Sequence, residues 1–172
     1  MDDDLKKADT NFRILPDNAP STHQQLLAKW VRLTVDHTPC LEDFDFEKSF
    51  DLPHEPFLLE RTDGPDLSCE FRFRRASSGL NEFFERNITG LEVREVLRDM
   101  VNLKSLEALQ QSLHLFEPHY WEKVHSFYGR QPIHYHRLVL PLTDSEGHAN
   151  WLFGSLIRIG DPMGPATQSS ER

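Results

Sequence analysis

Cysteine is nearly absent: Cys40 and Cys69 are the only two in 172 residues. That is too few for a disulfide framework or a zinc ribbon, and a reducing, cytoplasmic setting is expected. No apolar run approaches the roughly 20 residues needed to cross a bilayer, so membrane insertion is not expected. A secretory leader is not expected either, since Met1-Asp2-Asp3-Asp4 is acidic where such a signal would be positive. Cationic residues are in deficit, with 19 lysines and arginines against 28 acids and a net charge of −9. Nucleic-acid binding is therefore not expected, because phosphate contacts need clustered cations. Neither G-x-x-x-x-G-K-[ST] nor G-x-G-x-x-G occurs, so no phosphate-cradling loop is present. The run Ala76-Ser77-Ser78-Gly79 lacks the strand–elbow–helix setting of a serine nucleophile.

What is present suffices for one domain. A chain of 172 residues should bury roughly 70% of the surface its unfolded form exposes, enough to fold without staples. Residues 1–20, charged and broken by Pro16 and Pro20, read as a flexible arm with a docking element at Phe12-Arg13-Ile14-Leu15. Residues 21–52 read as a helix and an extended connection, 53–160 as the main domain, and 161–172 as a disordered tail. The helix is predicted over 21–35: Ser21 with Gln24, or Thr22 with Gln25, fits a capping box. Leu26, Leu27, Trp30, Val31 and Leu33 then recur at helical spacing. Such a stripe must be covered, either by its own domain or by a second copy. In the second case Leu26, Leu27, Trp30 and Val31 form a dimer interface. Residues 36–56 contain Pro39 and Pro53 and predict little regular structure, with Leu41, Phe44, Phe46 and Phe50 as anchors.

Strand signals begin at Phe57-Leu58-Leu59-Glu60-Arg61, followed by the turn formers Asp63-Gly64-Pro65. From residue 69 to 75 the pattern alternates, with Cys69, Phe71 and Phe73 on one face and Glu70, Arg72 and Arg74 on the other. Residues 78–101 suggest short helical turns, and 102–115 a longer helix carrying Leu103, Leu106, Leu109 and Leu113. Three strands, at about 120–128, 133–142 and 150–159, close the chain through short, turn-rich connections. Strands segregated from helices predict an α+β fold: a five-stranded antiparallel sheet with helices over one face.

The stretches Leu52-Pro53 through Phe57-Leu58-Leu59-Glu60, Phe71-Arg72-Phe73-Arg74, and Gly79 to Thr89-Gly90 resemble, in this order, a PAS-like family found in alphaproteobacteria. The Trp30 helix, Asp43-Phe44 and the strand Arg137-Leu138-Val139-Leu140-Pro141-Leu142 extend the resemblance over residues 26–159. It implies a PAS-like five-stranded antiparallel sheet with a helical cap and an N-terminal flanking helix. It implies a non-enzymatic sensory or regulatory module as well, working as a homodimer or through a signalling partner. The cofactor is left unknown: PAS domains are similar in enclosing a small cavity, which in some holds haem, flavin, a metabolite or a metal, and in others nothing. The rival reading is a small α+β enzyme of the NTF2 and ketosteroid-isomerase kind, with His125 or His136 as its base.

Phe71, Phe73, Phe83, Leu106, Leu109, Trp151 and Phe153 are candidates to line a ligand cavity, though the same residues also suit an ordinary core. Arg137, on an otherwise apolar strand, is expected to form a salt bridge to Glu60 or Glu70, to anchor an anionic ligand, a carboxylate or phosphate, or to reach solvent. His134 and His136 share a strand face. His125 on the preceding strand would complete a cross-strand cluster, but no metal site is assigned, because no cysteine or carboxylate stands at diagnostic spacing. His114, His119 or Cys69 could serve a haem only as axial ligands, without an attachment motif. Cys69 lies in a strand, away from the helical setting of a flavin-reactive cysteine.

Overall fold

Period-two alternation, turn chemistry and two helical stripes lead to a sheet buried on both sides. The computed structural model describes residues 15–63, 69–98, 104–125, 129 and 131–160. The arm through residue 14 and the tail from 161 therefore lie outside the described residues. The elements are α1 (Ser21–Asp36), α2 (Phe46–Ser49), β1 (Glu55–Asp63), β2 (Cys69–Ala76), α3 (Ser78–Phe83), α4 (Val93–Val96), α5 (Lys104–Leu115), β3 (His119–His125), β4 (Ile133–Thr143) and β5 (Ala149–Arg158). The strands form one antiparallel sheet in the order β2-β1-β5-β4-β3. The chain thus has the expected α+β fold, a five-stranded antiparallel sheet in which β1 and β5 join the first hairpin to the last ribbon.

Two apolar layers sandwich this sheet. On one face Phe57, Leu59, Phe71, Phe73, Val139, Leu152 and Leu156 meet Leu80, Phe83, Val96, Leu106 and Leu109 of the cap helices α3, α4 and α5. On the other, Leu58, Leu138, Leu140, Leu142 and Phe153 meet Leu26, Leu27 and Trp30 of α1. Helices over one face alone therefore describe half the molecule; α1 supplies the second layer.

Local chemistry departs from expectation at several points. No capping box opens α1: Pro20 stands at the N-cap without a side-chain bond, and Thr22 is buried. Gln24 donates instead to the Ala19 carbonyl at 2.9 Å, while Ala19 packs under α1 with Leu15 against the same layer. The connection that follows is more regular than its prolines suggested. A 3-10 turn at Leu41–Asp43 precedes α2, whose N-cap Asp45 accepts from the amides of Glu47 and Lys48. β3 pairs with β4 only as far as Val139. Beyond it the Pro141 carbonyl accepts instead from Trp30 Nε1 at 2.8 Å, which locks α1 to the sheet.

Candidate functional site

Between the cap and the front of the sheet lies a cavity of about 50 Å³. Phe57, Leu59, Phe73, Leu80, Phe83, Leu109 and Leu156 give it apolar walls, and Ser105, Tyr135 and Arg137 are its polar lining. Gly154 shapes it: a Cβ there would fall 2.0 Å from the Phe57 ring, so only glycine lets that ring lie flat across β5 at the register Phe57↔Gly154.

Of the sequence-derived ligand candidates, Phe73, Phe83, Leu109 and Arg137 line the cavity. Phe71 and Leu106 belong to the same apolar layer without lining it. Trp151 and Phe153 are a correction: both sit in the α1-side layer, on the opposite face of the sheet. The cause is strand parity. β5 is buried on both faces over Leu152–Leu156, so its apolar run carried no sign of which side faced the cap, and residues 152, 154 and 156 do. Tyr135, Ser105, Phe57 and Leu59 were missed for the same reason or for want of an obvious chemistry.

Arg137 departs from the salt-bridge expectation. Glu60 pairs with Arg74 at 3.2 Å and Glu70 with Arg94, so neither reaches it. Instead Nη1 donates to Ser105 Oγ at 2.7 Å and Nη2 lies 3.5 Å from His119 Nδ1. The Trp121 ring stacks 3.7 Å from the guanidinium carbon. The buried Arg137 Nε has no acceptor among the described residues. Among the described residues no carboxylate reaches this cation. Burial, only partly offset by Tyr135, pulls its pKa from 12.5 to about 10, a burden of about 3 kcal/mol on the folded state. Burial, with Arg137 and Lys123 adding, likewise drives His119 down to about 3, so its imidazole stays neutral. Arg137→Met is accordingly expected to raise stability by about 1–3 kcal/mol in urea unfolding. A loss of more than about 1 kcal/mol would mean that the contacts to Ser105 and Trp121 outweigh the buried charge.

The three strand histidines do not converge. His134 and His136 do stack on one face, with ring centroids 6.4 Å apart. His125, however, pairs with Ile133 and packs against Tyr135 on the cap side. His136 bonds the Tyr120 hydroxyl, and His134 bonds Glu122 at 2.8 Å. A different and unforeseen set forms under α1: His23 Nε2 and His54 Nδ1 share Ser155 Oγ at 2.8 and 2.6 Å. Among the described residues, metal-ligating types gather elsewhere, at His37, Cys40 and Asp43 and at Asp144, Glu146 and His148. Both sets are partly exposed and already hydrogen-bonded internally: Asp43 Oδ2 accepts from Cys40 N at 2.9 Å and lies 2.9 Å from His37 Nε2. Asp144 Oδ1 accepts from the amides of Glu146 and His148.

The four residues assigned to a dimer seam divide. Leu26, Leu27 and Trp30 are buried against the chain's own sheet, whereas Val31 is 36% exposed. The helical stripe is covered within the chain. A ligand the size of haem or flavin exceeds this cavity, since such sites run to several hundred Å³. His114 is exposed on α5 and is not among the residues lining this cavity. The isomerase-like alternative finds neither carboxylate nor imidazole among the residues lining the cavity.

No protein-family model and no curated protein matches the chain. Solved structures similar to it include a light-oxygen-voltage domain studied with a flavin analogue, at 14% identity and TM-score 0.49, covering 69% of this chain and 88% of that one. A fungal LOV domain photoreceptor gives 16% identity and TM-score 0.46, covering 78% and 91%. The PAS domain from Bordetella pertussis BvgS gives 16% and 0.42, covering 64% and 78%. The chemistry of the site follows from this chain's own residues.

Proposed function

We propose that this chain is a non-enzymatic, PAS-type sensory module, at work in the cytoplasm, that holds a small ligand in its cap-side cavity and signals through a partner protein. The observation that carries the reading is the cavity itself: apolar walls beneath the cap helices around one buried guanidinium that no carboxylate among the described residues reaches. Buried cations are rarely kept without a partner, so an occupant that supplies one gives the arrangement a use. Among the described residues the lining offers a cation, a phenol and a hydroxyl but no carboxylate or imidazole, which supports a binding role over catalysis. No helix among the described residues is long and apolar enough to cross a membrane.

Native mass spectrometry of freshly purified protein tests the ligand, with an adduct expected that denaturation removes. A clean apo mass, together with no thermal shift across a metabolite panel, would remove the ligand from the proposal. Turnover of a substrate, lost on altering a cavity residue, would replace the sensor with an enzyme. Association as a homodimer is part of the same reading. With Trp30 engaged in cis, the surface left to it is the outer side of α1, where Val31 and Val35 edge an open groove of about 480 Å³. Val31→Glu is expected to halve the mass seen by light scattering; an unchanged dimeric mass in a folded variant would place the seam elsewhere.

A further inference from the structure

We infer that the ligand of the cap-side cavity is a short-chain monocarboxylate, its carboxylate paired with Arg137 and its alkyl end among Phe73, Phe83 and Leu109. The inference rests on the sensory reading of the cavity and names the chemical class it would take.

Charge is the first argument. Arg137 is 5% exposed; Glu60 and Glu70 stand on β1 and β2, beyond β5, and are held by Arg74 and Arg94, while Glu122 on the adjacent β3 engages His134. One unmatched positive charge calls for one negative charge. A phosphate dianion would carry a second charge into walls that offer no other cation among the described lining residues.

Donor geometry is the second. A guanidinium has five N–H groups, and its Nε–Nη edge fits the two oxygens of a planar carboxylate. Here Nη1 is engaged by Ser105, Nη2 has only a 3.5 Å contact to the neutral His119 ring, and Nε has no acceptor. The free edge of the fork is thus the one a carboxylate would use. Trp121, stacked 3.7 Å from the guanidinium carbon, fixes the plane of the group before any ligand arrives.

Size is the third. A cavity of about 50 Å³ is far below the several hundred Å³ of drug-sized sites, which favours a short-chain acid such as acetate or propionate. The walls beyond Arg137, Ser105 and Tyr135 are apolar, mostly phenylalanine and leucine, and suit a methyl or ethyl group. A regulatory consequence follows from the Ser105 bond. Ser105 opens α5, so a ligand seated on Arg137 tightens the joint between β4 and that cap helix.

The test uses the full chain, dialysed until native mass spectrometry shows the apo mass. Thermal shift and calorimetric titration are run with formate, acetate, propionate and hexanoate, with acetamide and propionamide as neutral isosteres, and with chloride and phosphate. Acetate and propionate are expected to stabilise the protein with saturation, while the amides and hexanoate do not. Arg137→Met should weaken binding at least about tenfold. Ser105→Ala, which keeps the charge, should weaken it by about two- to fivefold. Amides that bind as well as acids would leave the cavity a ligand site and overturn the anion. Chloride or phosphate matching acetate, or an Arg137→Met protein responding like the parent, would overturn the carboxylate assignment as a general salt effect. No response to any of these acids would overturn it as well, and the adduct seen or not seen before dialysis then decides separately whether a sensor cavity remains.

Discussion

Between pH 7 and pH 5 the protein is expected to lose about 2 kcal/mol of stability through His23 alone, with α1 the first element to separate. His23 is fully buried beneath α1, and its pKa is driven from 6.5 to about 3, mainly by burial and then by the proximity of His136 and His54. The folded form therefore binds fewer protons than the unfolded chain. Stability from the neutral ring is complete above pH 6.5 and declines below it by about 1.4 kcal/mol per pH unit, down to about pH 3. The surroundings reinforce the sign. Among the described residues Ser155 on β5 is the only hydrogen-bond partner of Nε2, and Nδ1 has none. His54, before β1, and His136, on β4, are themselves held low, chiefly by burial. Tyr120 on β3 presents an uncharged phenol, its pKa raised to about 12. The carboxylates in reach, Glu55 and Glu122, act on His54 and on His136 and oppose the trend only there. Urea unfolding at pH 7 and 5 measures the effect, and hydrogen exchange along 22–35 locates it. His23→Gln, which retains a donor toward Ser155 but cannot charge, should flatten the profile by about one proton. An unchanged slope in that variant would assign the acid sensitivity to other groups.

The fold was legible because its elements differ in period. Phe71 and Phe73 alternate with Arg72 and Arg74 on β2, an edge strand with one wet face, and the structure keeps that alternation. On β4 and β5 the code disappears. Both lie inside the sheet with a helical layer on each side, so residues 138–142 and 152–156 are buried whatever their parity. Trp151 and Phe153 could not be separated from Leu152 and Leu156 without knowing the register. Arg137 was legible as an anomaly, since a cation in an apolar run must have a reason. Its partners were not, because Ser105 and Trp121 come from other elements through tertiary packing. His23 was hidden differently: on a helix of mean polarity it looks like a surface residue, and only the arrival of β5 beneath it makes it a core group.

Truncating Trp30 to alanine should cost about 3–5 kcal/mol, a large share of the total for a domain of this size. Trp30 is 3% exposed, packs on Phe116 with ring centroids 6.0 Å apart, and sits in the layer formed with Leu138, Leu140 and Phe153. Two separate losses combine. Removing the indole opens a void between α1 and the sheet, and it also strips the Pro141 carbonyl of the Trp30 Nε1 donor at a point where β3 no longer runs alongside. Trp30→Phe separates them, since it keeps much of the apolar volume and removes the donor, and it should cost about 1–2 kcal/mol. Urea unfolding of both variants gives the comparison. If Trp30→Ala falls within 1 kcal/mol of the parent, α1 is not a structural layer of the domain. In that event Leu26, Leu27 and Trp30 would be available to a second copy after all. If the loss is as large as expected and the sheet's α1-side face then binds a hydrophobic dye, the helix is a cover that the domain supplies to itself. Any signal leaving through it must then be carried by its outer side, at Val31 and Val35.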